Sequence, residues 1–175
     1  MTTENQEKIF KEWLAEYKRL IFKVVRTYAL NRQDEDDLFQ EILLGLWSSI
    51  PRYQRKAKET TWIYRVALNT ALVWTRDKTR KRKRNKEMMA TLERIAETAN
   101  ENRGVRDTGQ VIEQVYGAIR KLPKVDGSIM LMWLDGLSYE QMADVTGISK
   151  TNVGVKLNRA RKRLAQLLKG LIDDV

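Results

Sequence analysis

Apolar residues recur every three or four positions along almost the whole chain, and this spacing constrains the fold more than any other feature. In the first 30 residues the stripe comprises Ile9, Trp13, Tyr17, Leu20, Ile21, Val24, Val25 and Tyr28. A period near 3.6 residues places such side chains on one face of an α-helix. Proline, which breaks helices, occurs only at Pro51 and Pro123. The sequence therefore predicts an all-α protein.

Capping and breaking residues predict where the helices begin and end. In the N-terminal half we expect three helices, at about 5–30, from Asn31 to Pro51, and from Thr60 or Thr61 onward. In the C-terminal half we expect a helix through Leu122, a turn formed by LPKVDG, a helix stopped at Gly136, a short helix capped by Ser138 with Gln141, a turn at Gly147, and a last helix from Ser149 to about Lys169.

A polar stretch separates the two halves. Between Asn85 and Asp107 there is no aromatic residue, and NENRG interrupts the helical spacing. The sequence therefore predicts two small helical domains, 1–86 and 109–175, joined by a polar linker at 87–108.

The charge balance indicates a polyanionic partner. Lys and Arg number 33 against 23 Asp and Glu, which gives a net charge of +10 and a pI near 9.8. Nucleic acid and an anionic membrane surface are the candidates. The polar N-terminus MTTENQEKIFKEW lacks the apolar region of a signal peptide, and no run of about 18 apolar residues is present. We expect a cytosolic protein without membrane insertion.

The composition lacks the catalytic side chains that most enzyme classes use. The chain contains no Cys and no His, which excludes nucleophiles, bases and metal sites built on those residues. No Gly-rich phosphate loop such as GxxxxGK[ST] occurs among its 9 glycines. We therefore expect no enzymatic activity, no cofactor and no metal.

The segment LSYEQMADVTGISKTNVGVKLNRARKRL has the layout of a helix-turn-helix: a short capped helix, a Gly turn and a longer basic helix. In the last helix Val153, Leu157, Ala160 and Leu164 share one face. The opposite face, suited to base edges or phosphates in a major groove, carries Thr151, Val155, Asn158, Arg159 and Lys162. Residues that flank it and suit phosphates are Asn152, Lys156 and Arg163. The alternative is a solvated basic face on a structural helix.

Two further basic features suit nucleic acid. Eight basic residues lie in RDKTRKRKRNK at 76–86, at the end of an apolar helix. Upstream, aromatic residues alternate with basic ones, an arrangement that stacks single-stranded bases while cations hold the backbone. These residues are Tyr53, Trp62 and Tyr64 beside Arg52, Arg55, Lys56, Lys58 and Arg65. Packing in the core is the alternative for the three aromatic side chains.

The acidic cluster DEDDLFQE opens the second helix, where the helix dipole favours negative charge. Nothing in the sequence supplies the converging ligands that a metal site needs. Leu38, Ile42 and Leu46 occupy the core side of this helix. On the opposite side of the helix we predict a protein-docking face, formed by Asp37, Gln40, Glu41 and Leu44.

Together these motifs resemble an extracytoplasmic-function (ECF) sigma factor, the promoter-specificity subunit of bacterial RNA polymerase. DEDDLFQEILLGLW resembles the segment that docks on the polymerase clamp, and TTWIYRVALNTALVW resembles the segment that reads the minus-ten element. The C-terminal half, from LPKVDG through the helix-turn-helix, resembles the domain that reads the minus-thirty-five element.

The resemblance also implies roles for individual residues. Asp37, Gln40 and Glu41 match polymerase-docking positions, and Asn69 matches an Asn that recognises a base flipped from the melted strand. The loop from Tyr53 to Thr61 matches the pocket for that base, and Arg159 matches a basic position of the recognition helix. Core RNA polymerase and promoter DNA, duplex and melted, would be partners, and an anti-sigma factor would hold the chain inactive.

One departure and two alternative functions stay open. Gly154 and Val155 stand where many members have a basic residue followed by Ser, so this helix reads a different sequence and its Gly softens it. A helix-turn-helix regulator that binds duplex DNA without polymerase would explain only the last helix. A DNA-modifying enzyme with a helix-turn-helix tail would require catalytic groups that the composition does not favour.

Overall fold

The described part of the chain, residues 3–92 and 110–172 of a computed structural model, folds entirely into helices and their connections. Side chains are described for 3–79 and 112–169. The elements in order are α1 (Thr3–Tyr28), α2 (Arg32–Ser49), a 3-10 turn (Ile50–Arg52), α3 (Glu59–Leu92), α4 (Gln110–Arg120), α5 (Lys124–Leu134), α6 (Tyr139–Thr146) and α7 (Lys150–Ile172). The all-α prediction is confirmed.

Helices α1, α2 and α3 form the N-terminal bundle, with the apolar stripes predicted from the sequence at its centre. The Asn31 side chain caps α2 by accepting a hydrogen bond from the Asp34 backbone N–H at 2.9 Å. Pro51 lies in the 3-10 turn that follows α2, since its ring is incompatible with a further helical turn. These local signals place both ends of α2 where the sequence predicts them.

Helices α4 to α7 form the C-terminal bundle, and α6 and α7 are its helix-turn-helix. Ser138 and Gln141 form the predicted capping box at the start of α6. Gly147 ends α6 with a φ of 72°, a left-handed conformation that favours glycine. Ser149 accepts a hydrogen bond from the Asn152 backbone N–H at 3.2 Å and so caps α7.

Two boundaries differ from expectation. The segment LPKVDG is not a turn, because α5 already begins at Lys124 with Pro123 as its N-terminal cap. Helix α3 runs to Leu92, into the stretch 87–108 that the sequence assigns to the linker. The rest of that stretch, 93–108, lies outside the described residues.

The two bundles pack against each other through α1 and α3 on one side and α4, α5 and α6 on the other. Their buried side chains form one continuous cluster, in which Tyr28 of α1 and Ile129 of α5 both belong to the core. The sequence gives no indication of this arrangement, since it depends on contacts between residues far apart in the chain.

Candidate protein-docking and nucleic-acid surfaces

The predicted docking face of α2 forms one wall of an open groove. Asp37, Gln40, Glu41 and Leu44 are all exposed, and Leu44 keeps 62% of its surface accessible. The opposite wall belongs to α3 and comprises Asn69, Thr70, Val73, Trp74 and Asp77. The groove therefore combines acidic and amide groups with an exposed leucine, a mixture suited to a protein partner.

Close packing of α2 on α3 sets the width of this groove. A Cβ atom at Gly45 would lie 3.0 Å from Thr70 Oγ1 and 3.4 Å from Val66 Cγ1. The absence of a side chain at this position thus lets the two helices approach. On the core side of α2, Leu38, Ile42 and Leu46 are fully buried, which fixes the docking side chains outward.

The acidic first turn of α2 contains two kinds of carboxylate. Asp34 is 2% exposed and pairs with Lys78 of α3, whereas Asp36 and Asp37 are exposed. Lys78 also lies over the Trp74 ring, 4.6 Å from its centroid. The sequence did not distinguish Asp34 from its neighbours, although its place one helical turn before Leu38 puts it on the buried face.

The asparagine at position 69 is exposed and does not belong to the core. Its side chain lines the groove with the docking residues of α2. The structure therefore brings the predicted base-recognition residue next to the predicted protein-docking face.

The loop between the 3-10 turn and α3 is held by its aromatic residue. The Tyr53 hydroxyl donates to the Ala57 carbonyl oxygen at 2.9 Å, and its ring packs edge-on against Trp13 with centroids 5.4 Å apart. Arg55, at the tip, has a φ of 57°, in the left-handed region that non-glycine residues seldom adopt. Arg55 and Lys56 are both exposed. The loop that Tyr53 holds in place therefore presents two cations to solvent.

The aromatic side chains of this region serve mainly in packing. Trp62 is half-buried, donates from Nε1 to Ser49 Oγ at 3.1 Å, and lies 5.5 Å from Tyr53 between ring centroids. Burial, together with the charge of Glu59, raises the pKa of the Tyr53 phenol. These two rings keep only part of their surface for a stacked base.

Tyr64 and Arg65, predicted to face DNA, contact the C-terminal bundle instead in this arrangement. Tyr64 is fully buried and its hydroxyl donates to Asp135 Oδ2. Burial first, and the bond to the Asp135 carboxylate second, raise the pKa of this phenol. Arg65 donates to the Asp144 backbone carbonyl at 2.6 Å. Sequence periodicity shows that Tyr64 is on an apolar face but not which element covers it.

Helix α7 presents the predicted recognition face to solvent. Thr151, Val155, Asn158, Arg159 and Lys162 are exposed, as are Asn152 and Arg163 on its flank. Val153, Leu157 and Ala160 are buried and Leu164 is partly buried, as predicted. Lys156 differs from its neighbours because it pairs at 3.2 Å with Asp126, which is only 8% exposed. Gly154 stays within α7 and does not interrupt it.

The basic block at 76–86 is described only in part. Arg76 Nε lies 3.8 Å from Asp77 Oδ1, and Lys78 forms an ion pair with Asp34, so each of these two cations has an acidic partner. The side chains of 80–86 lie outside the described residues. Within the described part of the chain no cluster of three acidic side chains could hold a metal ion. No described helix is long and apolar enough to cross a membrane.

Comparison with protein families identifies both halves of the chain. The family model for Sigma-70 region 2 matches residues 13–81, and that for Sigma-70, region 4 matches residues 112–164. Between them the two matches span more than half of the chain. The first contains the α2–α3 groove, and the second contains the helix-turn-helix.

Curated relatives align over nearly the full length. The ECF RNA polymerase sigma-E factor of Haemophilus influenzae is 25% identical over 179 aligned positions, which cover 97% of this chain and 92% of that protein. The RNA polymerase sigma factor SigZ of Bacillus subtilis is 26% identical over 151 positions, 83% of this chain and 81% of that protein.

Solved structures share the fold. CnrH, solved in complex with the cytosolic domain of CnrY, superposes with a TM-score of 0.66 at 18% identity, over 94% of this chain and 90% of that one. The sigma factor RpoE of Bartonella quintana, solved with the anti-sigma factor NepR, gives a TM-score of 0.64 at 21% identity, over 93% of this chain and 98% of that one.

Proposed function

Since this chain belongs to the sigma-70 family and is an ECF sigma factor, we propose that its surfaces divide the work of promoter recognition. It directs core RNA polymerase to promoters. In this proposal the α2 face docks on polymerase, the loop 53–61 and α3 hold the melted minus-ten strand, and α7 reads the minus-thirty-five duplex.

The observation that carries the proposal is the shared groove between α2 and α3. Asp37, Gln40 and Glu41 on one wall face Asn69 on the other. A polymerase subunit bound to the first wall therefore lies beside the base-recognition residue. The site of polymerase docking and the site of strand capture thus lie side by side. A helix-turn-helix regulator that acts without polymerase would not need this arrangement.

Capture of the melted strand proceeds without catalysis in this proposal. A base leaving the stack costs a few kcal/mol, which contacts at Asn69 and phosphate neutralisation by Arg55 and Lys56 offset. Both cations are exposed on an ordered loop, so the loop backbone loses little entropy when they bind. Trp62 and Tyr53 contribute the part of each ring that their packing leaves accessible.

Duplex recognition belongs to α7. Arg159 occupies the middle of its exposed face and is proposed to read a base edge or a phosphate, while Arg163 and Asn152 on the flank contact phosphates. Val155 offers an apolar contact to a thymine methyl group, since 44% of its surface is exposed. Lys156 reaches DNA only at the expense of its pair with Asp126.

The proposed function requires no chemistry of the chain's own. It acts by binding energy, without a cofactor or metal, and works in the cytoplasm because polymerase and chromosome are there. The solved relative from Bartonella quintana binds an anti-sigma factor, and we extend a partner of that class to this chain.

Sequencing of RNA 5′ ends tests the proposal. Core polymerase is incubated with fragmented host DNA, with and without the purified chain. We expect the chain to add a set of start sites that share upstream minus-thirty-five and minus-ten sequences. Identical start sites with and without the chain would overturn the proposal. Site-specific duplex binding in the absence of polymerase, with no new transcripts, would favour the regulator instead.

A further inference from the structure

The first two turns of α7 present methyl groups in the part of a helix-turn-helix that meets base edges. Base contacts in such motifs come from the N-terminal residues of the second helix. In α7 the exposed residues Thr151 and Val155 are one helical turn apart and lie next to each other on the same face. Val155 keeps 44% of its surface exposed. The following inference rests on the proposed function, because it concerns what this face reads.

A tyrosine from α6 extends this apolar surface. Tyr139 is the first residue of α6, and its ring lies against α7 at Gly154. Gly154 comes three residues after Thr151, so the ring borders the exposed face on the side of Thr151. Tyr139 nevertheless keeps 40% of its surface exposed, which leaves part of the ring available to DNA.

The absence of a side chain at position 154 makes room for this ring. A Cβ atom there would lie 3.4 Å from Cε2 and 4.0 Å from Cδ2 of Tyr139. A methyl group would thus already contact the ring, and a longer side chain would compete with it for the same space. Glycine inside a helix is destabilising relative to alanine, so the close approach of Tyr139 gives Gly154 a structural reason.

The cations of α7 leave this surface free of charge. Residues 150–158 contain two cations, Lys150 and Lys156. Lys150 pairs with Glu140 of α6, and Lys156 pairs at 3.2 Å with Asp126 of α5. The cations that are exposed on the recognition face and its flank come later in the helix, and they are Arg159, Lys162 and Arg163. The first half of α7 therefore offers methyl groups to the bases rather than charged donors.

The group that such a surface recognises in a major groove is the 5-methyl group of thymine. Every base pair presents hydrogen-bond donors or acceptors there, but thymine alone among the four bases adds a methyl group. Removal of that methyl group from water against apolar side chains is favourable. Apolar contact thus distinguishes thymine from the other bases without a hydrogen bond.

We propose that Thr151, Val155 and the ring of Tyr139 together recognise a thymine methyl group in the minus-thirty-five element, with Gly154 making room for the ring. Tyr139 is then a specificity-determining residue supplied by α6, the helix that crosses the DNA backbone in such motifs. Arg159 and the cations after it bind the same duplex through charged contacts.

Thymine and uracil differ by this methyl group alone, which gives a direct test. The chain with core polymerase selects its preferred upstream sequence from a pool of randomised duplexes, and the chain without polymerase is put through the same selection. Each thymine of the selected sequence is then replaced singly by deoxyuridine, and the affinity is measured by fluorescence anisotropy. We expect at least one replacement to weaken binding about fourfold, the effect of one buried methyl group.

Three variants should lower the ratio of the thymine affinity to the uracil affinity at that position. Val155→Ser removes two methyl groups, Tyr139→Ala removes the ring, and Gly154→Lys places a side chain where the ring lies. Tyr139→Phe retains the ring and should retain the ratio. Val125→Ser is the matched control, because Val125 is an exposed valine of α5, and it should also retain the ratio. Helicity is recorded for each variant, and Val155→Thr replaces Val155→Ser if the latter unfolds.

A selected sequence without thymine, or full affinity for deoxyuridine at every position, would overturn the proposal. An unchanged ratio in Val155→Ser would do the same. If Tyr139→Ala and Tyr139→Phe weaken the thymine and uracil duplexes equally, the Tyr139 hydroxyl contacts a phosphate and its ring does not read the methyl group. New transcription start sites are scored separately. Their absence would overturn the proposed function, whereas duplex binding by the chain without polymerase still decides whether the methyl group is read.

Discussion

The phenol hydroxyl of Tyr64 donates a hydrogen bond to Asp135 Oδ2, across 71 positions of the chain. Tyr64 lies on α3 of the N-terminal bundle, and Asp135 ends α5 of the C-terminal bundle. Lys23 of α1 pairs with the other oxygen of the same carboxylate. A single side chain of the helix-turn-helix half therefore contacts two helices of the other half.

The contact through Tyr28 predicts a dependence on alkaline pH. Burial raises the pKa of Tyr28 to about 12 from its usual 10.0, although the bond to Ser128 lowers it. A phenol whose pKa is raised on folding stabilises the fold fully below about pH 10 and loses that contribution as the pH rises through about 12. The full contribution is on the order of 2 to 3 kcal/mol.

Urea unfolding at several pH values between 9 and about 11.5 checks this for the wild type and Tyr28→Phe. The wild type should lose more free energy of unfolding with rising pH than the variant, because both share every other titrating group. Parallel curves for the two proteins would show that Tyr28 is not the group responsible.

The docking face should contribute to binding and not to folding. Asp37 and Gln40 are both exposed. In the double variant Asp37→Ala with Gln40→Ala, each substitution should therefore change the free energy of unfolding by less than about 0.5 kcal/mol. Affinity for core polymerase should fall markedly, as measured by fluorescence anisotropy of the labelled chain. Asp36→Ala, exposed on the same helix but outside the groove, is the control and should bind normally. Normal binding by the double variant would remove this face from the polymerase contact.

The left-handed conformation of Arg55 allows its charge to be removed without rebuilding the loop. Glycine adopts a φ of 57° readily, so Arg55→Gly should alter stability by no more than about 1 kcal/mol. Binding of the minus-ten single strand should weaken, with a salt slope lower by about 0.7. Gln54→Ala changes the adjacent exposed residue without a change of charge. Equal effects of the two substitutions would indicate that loop shape, rather than the Arg55 charge, matters.

The exposed face of α7 separates base reading from phosphate contact. Arg159→Ala should alter sequence preference in a selection on randomised upstream elements, at a cost of about 1 to 3 kcal/mol on the preferred site. Arg163→Ala should weaken all sequences alike and lower the salt slope by about one unit. If Arg159→Ala keeps the sequence preference of the wild type, Arg159 contacts a phosphate and not a base. If neither Arg159→Ala nor Arg163→Ala changes the affinity for DNA, the duplex binds to another surface.

Lys156 should behave unlike either arginine. Its removal leaves the carboxylate of Asp126 buried without its partner, which should cost about 1 kcal/mol or more in folding stability. Lys150→Ala breaks an ion pair with Glu140 that is exposed on both sides and should cost less than that. Thermal melting compares the two. Equal melting temperatures for the two variants would mean that the Asp126 pair stabilises the fold no more than the exposed pair of Lys150 with Glu140.

Local signals in the sequence predicted most of the helices. The cap at Asn31, the capping box of Ser138 with Gln141, and the turn at Gly147 each involve residues within four positions of one another, and all are confirmed. LPKVDG was misread because Pro, Asp and Gly together are typical of turns. Gly127 in fact lies inside α5, where a Cβ atom would come within 3.3 Å of the Ile119 carbonyl oxygen.

The relation between the bundles could not be predicted in this way. The periodicity of α3 places Tyr64 on an apolar face, but whether α1, α2 or another domain covers that face depends on tertiary packing. The same limit applies to Asp34, whose burial becomes evident only when Lys78 is seen opposite it. The outward faces of α2 and α7, by contrast, follow from helical spacing within a single element.

Permanganate reactivity of thymines on a promoter identified from the 5′ ends tests the central claim most directly, because it detects melting by polymerase together with this chain. Thymines of the minus-ten element should react only when both core polymerase and the chain are present. Asn69→Ala should lower that reactivity more than it lowers protection of the upstream duplex, since Asn69 is exposed in the groove and not part of the core. Reactivity that is the same with core polymerase alone would contradict the assignment of this chain as the subunit that selects and opens the promoter.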